Sequence, residues 1–103
     1  MEKAYLQIIT DRDRIRVRFK KERGRITKFV VQYETQVGDK WKPVIRYDTA
    51  HGRAHTDVIR PDGTQEKTLL HFPNYNDAFS YAEEDIKTNW ERYREEYLRE
   101  AEK

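Results

Sequence analysis

The twelve residues RYDTAHGRAHTD, Arg46 to Asp57, contain two of the chain's three histidines and two aspartates. A carboxylate beside an imidazole fixes the ring's tautomer and favours its charged form, as general acid–base chemistry requires. In that reading His55 is the acid or base, Asp48 or Asp57 orients it, and His51 or His71 is a second participant. Two imidazoles and a carboxylate are also a ligand set for Zn²⁺ or a similar ion. No HExxH pattern and no cysteine is present, so no metal and no cofactor is assigned. The third reading is structural. Cross-strand pairs of opposite charge contribute about 0.2–1 kcal/mol each and help to fix register on the wet face of a sheet.

The elements that carry these residues decide how they meet. His51-Gly52 reads as a two-residue turn between strands 41–49 and 53–60. Asp48 then faces His55 and Arg46 faces Asp57, on the side opposite Ile45, Tyr47 and Val58. Pro61-Asp62-Gly63 turns the chain into a shorter strand, 66–72, which brings His71 beside His55. Asp48, His55 and His71 form a row across three strands in this arrangement.

Upstream, RIRVRFK (14–20) alternates strictly, the period of a half-buried strand. Ile15, Val17 and Phe19 take one side. Arg14, Arg16, Arg18 and Lys20 take the other. A three-residue loop, Arg23-Gly24-Arg25, joins it to a strand over 26–37 and pairs Phe19 with Phe29, Val17 with Val31 and Ile15 with Tyr33. The third strand adds Trp41, Ile45 and Tyr47 to the core side, and Pro43 within it predicts a bulge or a missing ladder bond.

Basic groups spaced by two strand rises, about 6.6 Å, match the spacing of phosphates along a nucleic-acid strand. Guanidinium groups grip phosphate oxygens two at a time. Arg14, Arg16, Arg18, Lys20 and Arg46 are therefore candidate RNA-binding residues, with Lys28 nearby. The strands' tyrosines and phenylalanines point to the core, so no base-stacking platform is expected. A solvated edge protected by its charges accounts for the same stripe, and Glu34 and Asp48 neutralise part of it.

Asn74 or Asn76 can cap a closing helix over 76–102. Phe79, Ala82, Ile86, Trp90, Tyr93 and Tyr97 recur every three or four residues and form its apolar stripe. Over 77–101 this helix is roughly 37 Å long and outruns strands of seven to nine residues. Its last turns, with Tyr93, Tyr97 and Leu98, are expected to overhang and, together with Trp90, to offer a homodimer interface. Residues 1–10 fit either an edge strand or a short helix.

The fold expected over 1–103 is one α+β domain: a four- or five-stranded antiparallel meander over 14–72 with one long C-terminal helix on its apolar face. With no cysteine and no long apolar run, the expected setting is cytoplasmic and not membrane-bound. The net charge of +2 hides an asymmetry: residues 1–60 carry +7 and residues 61–103 carry −5. A basic half and an acidic half suit self-association or an anionic partner.

VIRYDTAHGRAHTDVIRPDG and DAFSYAEEDIKTNWERYREEY resemble a family of small bacterial and archaeal proteins that share an RYD-x-AHG-xx-H-x-D hairpin and a closing helix. More distantly the chain is similar to TumE-like toxins of toxin–antitoxin modules, with their Tyr-Asp pair and Gly/His-rich turn. That resemblance implies an RNA-directed activity, marks Arg46, Asp48, His51, His55 and Asp57, and implies a cognate antitoxin as partner. The competing expectation is a non-enzymatic interaction module acting through the helix aromatics.

Overall fold

Six strands follow one another in chain order as an antiparallel meander: β1 (Glu2–Thr10), β2 (Asp13–Glu22), β3 (Arg25–Val37), β4 (Lys40–Asp48), β5 (His55–Ile59) and β6 (Gln65–Leu69). Helix α1 (Tyr75–Ala101) closes the fold. This is a computed structural model, and it describes residues 1–103. The α+β class and the long closing helix are as the sequence predicts, but the sheet has six strands rather than four or five. The added one is β1, which pairs with β2 at the sheet's edge.

The apolar alternation of β2 and β3 fixes the core. Ile15, Val17, Phe29, Val31, Tyr33, Ile45 and Tyr47 meet Ala78, Ala82, Ile86 and Tyr97 of α1. Ala78 and Ala82 are fully buried and let the helix lie close to the sheet. Phe79 wedges between Phe19 and Phe29, with edge-on ring contacts at 5.3 and 5.6 Å. Each large side chain buried this way contributes about 1.5–3 kcal/mol.

The expected β2–β3 pairing holds: Phe19 faces Phe29, Val17 faces Val31 and Ile15 faces Tyr33. The route to it differs. The turn has two residues, Arg23 and Gly24, both at positive φ, and a shift in register between Lys20 and Lys21 leaves Thr27 unpaired. The extra residue in β3 compensates for the shorter loop.

The helix does not overhang. At about 1.5 Å per residue its 27 residues span ~40 Å, and β3, with 13 residues, spans ~43 Å. Tyr97 is buried, and Trp90, Tyr93 and Leu98 pack against the core. Asn74 is the N-cap, accepting from the Asp77 amide at 2.8 Å. Asn76 instead ties the helix start to the β2–β3 turn, accepting from Ile26 N at 2.8 Å and donating to Gly24 O at 3.2 Å.

Two carboxylates organise hydroxyls on the helix side. Asp13 accepts from Tyr33, Thr35 and Thr10 at 2.6, 2.9 and 2.6 Å. Asp85 accepts from Tyr47 and Tyr93, both at 2.5 Å, and from Asn89. Burial, reinforced by these acceptors, pushes the Tyr33, Tyr47 and Tyr93 phenols well above their ordinary range. A raised folded-state value means stability that is complete below the unfolded value of ~10 and lost as pH rises beyond it. Urea midpoints are therefore expected to fall above pH ~10, and to fall less in a Tyr47→Phe/Tyr93→Phe protein. Equal alkaline loss in both proteins would contradict this.

Candidate functional site

The sheet face away from α1 carries the candidate residues, and register explains why. Arg14, Arg16 and Arg18 of β2 pair with Glu34, Gln32 and Val30 of β3; Gln32 and Val30 pair in turn with Arg46 and Asp48 of β4. Asp48 then faces His55, and Arg46 faces Asp57, as the sequence predicts.

The hairpin does not turn at two residues. Asp48 Oδ1 accepts from the Ala50 amide at 2.9 Å, which bends the chain early. A 3₁₀ turn over Ala50–Gly52 follows, with His51 at φ 65°. His51 is exposed there and takes no part in the cluster. His71 is absent from it too. Hydrogen bonds between Arg60 and Thr64 and between Gly63 and Arg60 close the β5–β6 turn so that Leu69, not His71, lies opposite His55. His71 follows the end of β6, exposed. The expected row of Asp48, His55 and His71 is therefore Asp48, His55 and Leu69.

The residues that do gather are Asp48, His55 and Asp57, with exposures of 9, 3 and 4%. His55 Nδ1 lies 3.0 Å from the Arg53 carbonyl and so carries the proton that bonds it. Its Nε2 faces Asp48 Oδ1 at 2.9 Å and Asp57 Oδ2 at 3.3 Å. Asp57 Oδ1 is buried and has no hydrogen-bond partner. His55 is thus held at both ring nitrogens and covered from solvent, an environment unlike that of a proton shuttle in contact with substrate.

The basic stripe divides into two parts. Arg14 and Arg16 donate to the buried Glu34 carboxylate at 2.7 and 3.0 Å, and Gln32 adds a third bond at 2.6 Å. Arg46 donates Nε to Gln32 at 2.7 Å. These three cations build the face. Arg18, Lys20 and Lys28 line a cleft of about 330 Å³ with Glu2, Val30 and Asp48. Arg18 and Lys28 have no ion-pair partner, and Lys20 has only an exposed contact to Glu22 at 3.5 Å.

Burial raises the Glu34 carboxyl, but hydrogen bonds from Arg16, Arg14 and Gln32 outweigh it and leave the group below the usual range. A lowered folded-state value gives stability that is present above ~4.3 and lost as pH falls through the folded value. Glu34→Gln is expected to lower the urea midpoint at pH 7, with the gap to the unchanged protein narrowing in acid. A gap that stays constant with pH would contradict this.

One aromatic lies where none is expected. A bulge at Val44, beside Pro43, puts both Val44 and Ile45 on the core side and reverses the phase of the strand before them. Trp41 consequently lies on the free face, with the Arg14 guanidinium 3.9 Å from its ring centre. Pro43 signals the irregularity, but not the resulting flip of Trp41.

No helix of the structure is long and apolar enough to cross a membrane. No curated protein and no solved structure matches the chain. A family model described as a domain of unknown function, DUF7718, matches residues 1–103, the whole chain. The chain belongs to the DUF7718 family.

Proposed function

We propose that this protein binds single-stranded RNA along the sheet face opposite α1. The observation that carries the reading is the cleft in which Arg18 and Lys28, both free of ion-pair partners, converge with Lys20. Cations not already neutralised by the fold are the ones free to take phosphates. Arg14 to Lys20 covers six residue steps of β2, about 20 Å at 3.3 Å each, which fits about three nucleotides at the spacing of the stripe. Trp41 sits at the Arg14 end and supplies an aromatic surface of the kind that stacks bases.

Binding, rather than cleavage by an exposed histidine, is the function supported best. His55 is enclosed, and His51 and His71 lie outside its cluster. The toxin-like setting, with a cognate antitoxin covering the basic cleft, rests on the resemblance to TumE-like toxins. The rival reading, self-association through the helix aromatics, is weakened because Tyr97 is buried and Trp90, Tyr93 and Leu98 pack on their own sheet.

Fluorescence anisotropy with a labelled single-stranded RNA tests the proposal. Saturable binding that weakens steeply with salt is expected. No binding at low salt, or binding indifferent to salt, would overturn it.

A further inference from the structure

We propose that Asp48, His55 and Asp57 hold a first-row divalent cation such as Zn²⁺ or Mn²⁺. Four observations carry this. The first is distance. Two ligand atoms about 2.1 Å from one ion at angles of 90–109° are roughly 3.0–3.4 Å apart. His55 Nε2 lies 2.9 Å from Asp48 Oδ1 and 3.3 Å from Asp57 Oδ2. The three ligand atoms are all within 4.8 Å of one another.

The second is the ring's orientation. Nδ1–H donates to the Arg53 carbonyl at 3.0 Å, so Nε2 is the nitrogen left to bind an ion, and it points between the two carboxylates. A ring held through its other nitrogen by a backbone carbonyl is the usual support of a metal-bound histidine.

The third is charge. Two buried carboxylates flank one imidazole, and no Lys or Arg forms an ion pair with either. Arg46, directly opposite Asp57, donates its Nε to Gln32 instead. A proton on Nε2 would leave the cluster at −1, whereas a divalent ion beside a neutral ring brings it to zero.

The fourth is the orphaned oxygen. Asp57 Oδ1 is buried with no donor, a costly arrangement that a cation bound by this carboxylate, through Oδ2 or through both oxygens, relieves. A nitrogen ligand beside two carboxylates favours transition metals over Mg²⁺ or Ca²⁺. Asp48 also lines the cleft of Arg18, Lys20 and Lys28, so an ion here would sit next to the surface proposed for RNA. The metal site itself does not depend on that reading.

The test uses the whole chain, stripped with a chelator and without RNA. Zn²⁺ is titrated by calorimetry, and Mn²⁺ is added in substoichiometric steps while histidine ring signals are followed by NMR. The expected results are one Zn²⁺ per chain, weaker binding of Mg²⁺, and broadening of the His55 ring before those of His51 and His71. Asp57→Asn is expected to weaken Zn²⁺ binding at least about tenfold, whereas His51→Ala/His71→Ala leaves it unchanged. Absence of saturable binding, broadening led by His51 or His71, or unchanged affinity in Asp57→Asn would overturn the proposal. If Asp57→Asn fails to fold, the broadening order in the unaltered chain decides. RNA anisotropy repeated in chelator separates the two proposals: binding that persists there leaves the RNA reading standing whatever the metal result.

Discussion

Asp13→Ala is expected to lower the unfolding free energy by about 3–5 kcal/mol, measured by urea denaturation at neutral pH. The carboxylate is 3% exposed and accepts from three hydroxyls, those of Thr10, Tyr33 and Thr35. Arg94 also approaches it at 3.7 Å, and its buried Nε has no other partner. Removing the carboxylate leaves several buried donors without an acceptor, each costing about 1–3 kcal/mol. For a domain of this size the melting temperature should fall by roughly 4–8 °C per kcal/mol. Tyr33→Phe removes one donor and leaves the acceptor its other bonds, so its cost should be about 1 kcal/mol. A loss below ~1 kcal/mol in Asp13→Ala would mean that the network contributes little net stability.

Arg18→Ala/Lys20→Ala/Lys28→Ala is expected to weaken RNA binding by about two orders of magnitude at moderate salt. These residues line the cleft and are exposed or half-buried, so their removal should leave the fold intact. Each phosphate of a single strand that is no longer neutralised lowers the slope of log K against log salt by about 0.7, so the slope should drop by ~2. Arg14→Ala or Arg16→Ala should instead affect stability first, because both cations satisfy the buried Glu34. Equally weakened binding with an unaltered slope would point to damage elsewhere on the protein. An unchanged affinity would remove the cleft from the RNA account.

These positions also show how far the sequence can be read. Strict alternation in RIRVRFK places Ile15, Val17 and Phe19 inward and the cations outward, because a one-residue slip would bury four charges. The Asp48–His55 and Arg46–Asp57 pairings follow from the same logic. Local irregularities are less legible. Pro43 marks a fault in β4, but a missing ladder bond would keep Trp41 in phase with Ile45, whereas the extra residue at Val44 puts it on the opposite face. Thr27 absorbs the difference between a three-residue and a two-residue turn, so the expected register holds although the expected loop does not. Asp48 reads as a cross-strand partner only, whereas its bond to the Ala50 amide also shapes the connection and sets His51 apart. The placement of His71 depends on a two-residue offset in β6, a strand exposed throughout and therefore without an apolar pattern to fix it. The roles of Asp13 and Asp85 arise from contacts between distant elements and leave no periodic trace.

The helix length carries a similar lesson. A strand of average length would leave Tyr93, Tyr97 and Leu98 unsupported, but β3 runs to 13 residues and gives α1 a platform as long as itself. Within the chain, Tyr97 thereby belongs to the core, and Trp90, Tyr93 and Leu98 pack partly buried against it. The exposed apolar groups of this fold lie instead mainly at its edges, on Leu6 and Ile8 of β1 and on Leu69 of β6.

The most direct test of the RNA-binding claim is an amide chemical-shift map of the ¹⁵N-labelled chain during titration with a short single-stranded RNA. Saturable shifts are expected at Arg18, Lys20, Lys28, Val30 and Asp48, extending along β2 to the Arg14–Trp41 end, with the exposed face of α1 silent. Shifts confined to α1, or none at concentrations that saturate the anisotropy, would contradict it.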